Sequence, residues 1–174
     1  MSFIKKNKMA IILSPLLAIL IIFLLLPQKL GIKPSSFNQN LYPNNTNNIS
    51  TLDLGHLTIK NSIGDSINFE IEIADTIAKK TRGLMFRKEL PRNRGMLFIF
   101  KSPQIINMWM FNTKISLDMI FIDENNKIVK IAQNTKIMSS TIISSEQKSL
   151  SVLEINAGLT KKFKIEVGDQ IQFN

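Results

Sequence analysis

Two carboxylates stand inside apolar runs, Asp118 in Leu117-Asp118-Met119-Ile120-Phe121-Ile122 and Glu154 in Val152-Leu153-Glu154-Ile155. A charged residue between apolar neighbours on a strand either points to solvent or is buried with a partner. If both opened onto one cleft about 5–9.5 Å apart, they could cleave a glycosidic bond as acid and nucleophile or acid and base. If buried instead, Arg82 and Arg87 are their natural counter-ions, because the guanidinium fork matches a carboxylate with two hydrogen bonds. The third option is a ligand pocket. Trp109, Met85, Met110 and Phe111 could form its apolar wall, while Arg82, Asn112, Asp118, Glu154 and Asn156 supply converging polar groups. Trp109 and the methionines fit plain core packing equally well.

The remaining composition removes most other chemistry. There is no cysteine, hence no disulfide, thiolate metal site or thiol nucleophile. The single histidine, His56, reads as a surface residue beside a linker and makes a metal site improbable. No nucleophile elbow, Ser-x-x-Lys or phosphate-cradling glycine loop occurs. The sequence therefore gives no reason to expect a metal or cofactor, and it leans toward a binding module over an enzyme. The net charge of +9 is uneven, since Lys5, Lys6, Lys8, Lys29 and Lys33 precede residue 53 with no acid among them. The remainder is mildly basic and lacks the dense Lys/Arg run of a nucleic-acid arm.

The elements that must position these residues are mostly strands. Asn68 to Ile73 alternates, with Phe69, Ile71 and Ile73 inward and Glu70 and Glu72 on a wet face. Residues 77–86 read as a short helix capped by Asp75 or Thr76, with Ile77, Thr81 and Leu84 on one stripe. Gly83 inside it signals a close approach. Further strands are expected at Met96 to Phe100, Ile105 to Phe111, Ile115 to Asp123, Lys127 to Ala132, Ser151 to Asn156 and Gln170 to Phe173. Ser102-Pro103, a turn at 123–127 and a Ser/Thr-rich loop before Ser151 separate them. About eight short strands with one or two short helices imply a mainly β, compact antiparallel barrel or sandwich.

Ahead of this domain, Lys5, Lys6 and Lys8 precede an unbroken apolar run, Met9 to Leu26. As a helix this run spans about 27 Å, close to the hydrocarbon thickness, and the lysines favour an N-inside orientation. The expected organisation is a basic segment (1–8), a transmembrane signal-anchor (9–26), an Asn/Pro-rich flexible linker (27–52) and a β domain (53–174). That places the domain on the exported side of the cytoplasmic membrane. Its partners there would be the bilayer through residues 9–26 and a small molecule, a glycan or an envelope protein. A cleaved signal peptide is the alternative, although no small-x-small site follows the run.

Several ordered blocks, taken together, resemble the DUF192 family. They are Ile73-Ala74-Asp75-Thr76; Arg82-Gly83-Leu84-Met85-Phe86-Arg87; Leu90-Pro91; Gly95-Met96-Leu97-Phe98; Trp109-Met110-Phe111-Asn112-Thr113; Leu117-Asp118-Met119-Ile120-Phe121-Ile122-Asp123; Val152-Leu153-Glu154-Ile155-Asn156-Ala157-Gly158; and Val167-Gly168-Asp169. The resemblance covers roughly residues 57–174 and implies a compact, mainly β domain without implying a reaction. The chain departs from the family pattern at Phe111, usually lysine, at Ser116, usually proline, and at Lys164, usually glycine.

Overall fold

The structure, a computed structural model, describes residues 52–173. The apolar run 9–26 and nearly all of the linker lie outside these residues. Among the described residues, no helix is long and apolar enough to cross a membrane.

Seven strands form one sheet: β1 (Asp53–Lys60), β2 (Ser66–Ala74), β3 (Arg94–Met108), β4 (Leu117–Ile122), β5 (Ile128–Ala132), β6 (Ile143–Asn156) and β7 (Gln170–Phe173). Two short helices accompany them, α1 (Ile77–Arg82) between β2 and β3, and α2 (Leu159–Lys162) between β6 and β7. The strand order is β5-β4-β6-β3-β2-β1-β7. The sheet curls into a half-barrel whose two edges approach each other. There Ile128 N donates to Asp169 O (2.9 Å) and Ile171 N donates to Asn126 O (2.9 Å).

The sheet departs from expectation in three ways. The sheet is not wholly antiparallel, because β2 and β3 pair in parallel, Glu70 opposite Arg94 through Ala74 opposite Phe98. A parallel pair needs a crossover, and α1 with the loop after it provides one. The described residues form seven strands where about eight were expected, because Met96 to Phe100 and Ile105 to Phe111 belong largely to one long strand, β3. A register shift against β6 between Ile99 and Gln104 absorbs Ser102-Pro103, so the proline interrupts pairing without ending the strand. Finally, much of the Ser/Thr-rich stretch before Ser151 is the first half of β6. Ser145 is fully buried there, and its hydroxyl accepts from Ile106 N at 2.9 Å.

Period-two alternation gives the sheet two apolar faces. Phe69, Ile71, Leu97, Ile120, Leu153 and Ile155 fill the concave interior with Leu159 and Ile165. Met96, Phe98, Met119, Phe121 and Val152 face outward and pack against Leu84, Leu90 and Met110. Every residue of β4 is consequently buried. Glu70 and Glu72 are not a wet face either. Glu72 is buried and ion-paired to Arg87, and Glu70 is paired to Arg94.

Helix α1 starts as expected at Thr76, whose hydroxyl accepts from Lys79 N at 3.2 Å. It stops at Arg82, four residues short of the expected end. Gly83 follows with φ +47°, and a Cβ there would lie 3.1 Å from Phe98 Cζ. The close approach signalled by this glycine is therefore the Phe98 ring passing beneath the helix end.

Candidate functional site

Beneath α1, on the convex face of the sheet, lies a cavity of about 260 Å³. β6 places Glu154 in it. Alternation turns Leu153 and Ile155 into the barrel and sends Val152 and Glu154 to the other side. The register then sets Glu154 between Met96 of β3 and Met119 of β4. Neither neighbour can neutralise or hydrogen-bond a carboxylate. Glu154 is 3% exposed, and its side chain has no hydrogen-bond or ion-pair partner among the described residues. Desolvation disfavours the charged form and pushes its carboxyl up to about 8. At neutral pH the floor of the cavity thus carries a protonated acid, able both to donate and to accept.

The other walls come from three segments. α1 contributes Lys80 and Arg82, the chain after it Leu84 and Met85, and the end of β3 with the residue that follows it Asn107, Met108 and Trp109. Lys80 is already engaged. Its Nζ donates to Asp75 O (2.9 Å) and Ile99 O (2.7 Å) and stands 4.9 Å from the Phe100 ring centroid. Arg82 is exposed and makes no ion pair or hydrogen bond among the described residues. Trp109 is 40% exposed at the cavity wall, which rules out plain core packing for it.

Of the nine residues proposed from sequence to form a pocket, the cavity gathers Arg82, Met85, Trp109 and Glu154. The other five lie elsewhere, Phe111 among them as an exposed side chain. Met110 is buried in the outer core. Asn112 adopts φ +53°, and its carbonyl accepts from Phe86 N at 2.9 Å. Asn156 Nδ2 donates to Leu90 O (2.8 Å) and Pro91 O (3.2 Å), tying β6 to the loop before β3. Asp118 is fully buried on the concave side, where it accepts from Asn134 N (2.9 Å), Thr160 N (3.0 Å) and Thr160 Oγ1 (2.7 Å).

Neither Arg82 nor Arg87 pairs with Asp118, and Arg87 is committed to Glu72. The two carboxylates lie on opposite faces and do not form a hydrolytic pair. Sequence reasoning missed Lys80, Asn107, Met108 and Thr113. The α1 stripe carried a usable signal for the first, since Ile77, Lys80, Thr81 and Leu84 follow i, i+3, i+4, i+7. The strand-end residues carried none, because their convergence depends on where β3 bends.

A second cavity, of about 270 Å³, opens at the end of the half-barrel and is lined by Ile71, Leu97, Ile99, Ser151, Phe173 and His56 among others. His56 belongs to β1 and is exposed. Among the described residues, no three His, Cys, Asp or Glu side chains gather closely enough to hold a metal ion.

The fold and this cavity define a curled β domain with a buried acid that lacks a protein partner beneath a short crossover helix. The family model DUF192 (Uncharacterized ACR) matches residues 58–173, and the chain belongs to that family. Its relatives include the UPF0127 protein PH1112 of Pyrococcus horikoshii, 32% identical over 106 residues covering 60% of this chain and 87% of that one. Another is the UPF0127 protein PYRAB11210 of Pyrococcus abyssi, 31% identical, covering 60% and 86%. A crystal structure from Novosphingobium aromaticivorans, of a protein of unknown function, is 35% identical with a TM-score of 0.68, covering 72% of this chain and 89% of that one. A Sinorhizobium meliloti 1021 structure, provisionally described as a transcription regulator, is 31% identical with a TM-score of 0.70, covering 71% and 95%.

Proposed function

We propose that the domain is a binding module for a small molecule, with the cavity beneath α1 as its site. The observation that carries this reading is Glu154. Its carboxyl has no protein partner but opens onto the cavity, since no side-chain oxygen among the described residues is both sealed from solvent and unpaired. A largely desolvated acid that faces a cavity with no protein partner is placed to take one from a ligand. The aromatic and methionine wall beside it suits the body of a small ligand. The apolar run Met9 to Leu26 behind Lys5, Lys6 and Lys8 supports a place for the domain on the exported face of the cytoplasmic membrane. The natural ligand pool is then that of the envelope.

Thermal-shift screening of the full-length protein against metabolites and glycan fragments tests the site. A hit should raise the melting temperature of the wild type and lose its effect in Trp109→Ala and Glu154→Gln. A hit that stabilises both variants as well as the wild type would place binding elsewhere. A reporter fused after Asn174 tests the address, since activity confined to the cytoplasm would remove the envelope from the proposal.

A further inference from the structure

We infer that the ligand of the cavity beneath α1 is a small zwitterion of the amino-acid class, its ammonium on Glu154, its carboxylate on Arg82 and its side chain against Trp109 and Met85. This inference rests on the binding reading above and narrows it to one chemical class. The observation behind it is that one cavity is lined by two ionisable side chains of opposite type, Glu154 and Arg82. Each lacks a partner among the described residues, and they do not pair with each other.

An acid and a guanidinium that share a cavity without meeting leave room for a molecule that carries the complementary pair. A cation alone would satisfy Glu154 while passing the positive charges of Lys80 and Arg82. An anion alone would satisfy Arg82 and leave Glu154 as it is. A zwitterion satisfies both. Apolar side chains lining the cavity lower the local dielectric at the buried Glu154 end and strengthen the contact made there, while Arg82 stays exposed. Arg82 offers a planar fork suited to a carboxylate. Lys80, already bonded to two carbonyls, adds positive potential on the same side without competing for the ligand. The cavity, about 260 Å³, is below the usual range for drug-sized ligands and restricts the guest to something small.

Binding also moves a proton. An ammonium placed on Glu154 favours its ionised form, so the acid releases its proton to solvent as the ligand seats. The charged groups lining the same cavity are Lys80 and Arg82 on α1. From β4, Asp118 faces the other side of the sheet, and Arg87 is held by Glu72.

The experiment is calorimetric titration of the full-length protein at pH 7 with L-leucine, L-methionine and L-phenylalanine, each beside its amide and its N-acetyl derivative. At least one free amino acid should bind. Its amide and its N-acetyl form should each bind about tenfold more weakly or worse, the size of one charge-assisted hydrogen bond. Arg82→Gln should erase the preference for the acid over the amide. Glu154→Gln should erase the preference for the free amine, together with the proton release seen as a dependence of the heat on buffer ionisation enthalpy. Both variants must melt cooperatively, which separates lost recognition from lost folding. Equal binding of the free and N-acetyl forms overturns the inference. So does a screening hit that needs Glu154 but carries no ammonium–carboxylate pair, and that result leaves the binding reading standing. If no probe or screening compound binds in a Glu154-dependent manner, both readings fall.

Discussion

Asp118 and Glu154 sit on neighbouring strands, one position out of step. Asp118 stands opposite Ile155, and Glu154 stands opposite Met119. Because side chains alternate along a strand, that single step sends them to opposite faces of one sheet. Their environments then diverge completely. Asp118 receives three hydrogen bonds and holds the start of α2 and the loop after β5. Glu154 receives none among the described residues and faces a cavity. The first is a structural carboxylate and the second is the candidate recognition group.

Glu154 makes stability fall with rising pH. Its folded value is raised from 4.5 to about 8 by desolvation, whereas the unfolded chain titrates it near the ordinary value. Between those two pH values the native state holds a proton that the unfolded state has lost. Stability from this group is thus fully present below about 4.5, declines through the interval and levels off above about 8. Glu154→Gln removes the dependence. Urea unfolding at pH 5 and pH 9 should show the wild type losing a few kcal/mol that the variant keeps, with the variant the more stable at pH 9. Parallel pH profiles for the two proteins would refute the assignment.

Asp118→Ala should destabilise without touching the cavity. It leaves Thr160 N and Thr160 Oγ1 without their acceptor in a buried site, and Asn134 N without its acceptor at the site's exposed margin. Each abandoned buried donor costs about 1–3 kcal/mol, and part of that is recovered by relaxation, so a total loss of about 3 kcal/mol is expected. The denaturation midpoint reports it. Ligand affinity at a temperature where the variant is folded should match the wild type.

Much of this fold could be read directly from residue order. Strand β2, the Thr76 cap, the turn at 123–127 and the burial of β4 on both faces all follow from local pattern, because their signals lie within a few residues. What could not be read depends on distant pairing. The parallel β2/β3 pair is invisible locally, since β2 alternates in the same way whichever direction its partner runs. Ser102-Pro103 looks like a break, yet β6 carries the pairing past it through a register shift. The site shows the same limit. Glu154 and Trp109 stand out as a polar residue in an apolar run and the single tryptophan. That Asp118 shares the pattern of Glu154 but not its face is decided by one step of register between strands. The salt bridges were equally non-local: Arg87 pairs with Glu72, not Asp118, because α1 and its loop return the chain over the outer face of the sheet, where the side chain of Glu72 points.

Gly83→Ala should damage both the helix end and the cavity. The residue has φ +47° with ψ −137°, a region that L side chains rarely adopt, and the new methyl would press on the Phe98 ring at 3.1 Å. Strain of this kind costs on the order of 1–3 kcal/mol. Phe98 lines the cavity, so its displacement should also weaken any ligand. A melting temperature within a degree of the wild type would show that neither the backbone nor the ring imposes this constraint.

Lys164→Gly should stabilise. Helix α2 ends in a Schellman arrangement, with Ile165 N donating to Thr160 O at 2.9 Å and Lys164 between them at φ +51°. That left-handed position costs an L residue about 1–2 kcal/mol relative to glycine. The lysine side chain is exposed and makes no hydrogen bond or ion pair among the described residues, so little is lost by removing it. Glycine gains entropy in the unfolded chain, which offsets about 0.4–1 kcal/mol of the relief. A net gain of about 0.5–1 kcal/mol should therefore appear as a higher denaturant midpoint with an unchanged slope. A lower midpoint would mean that Lys164 holds α2 through a contact that outweighs its backbone strain.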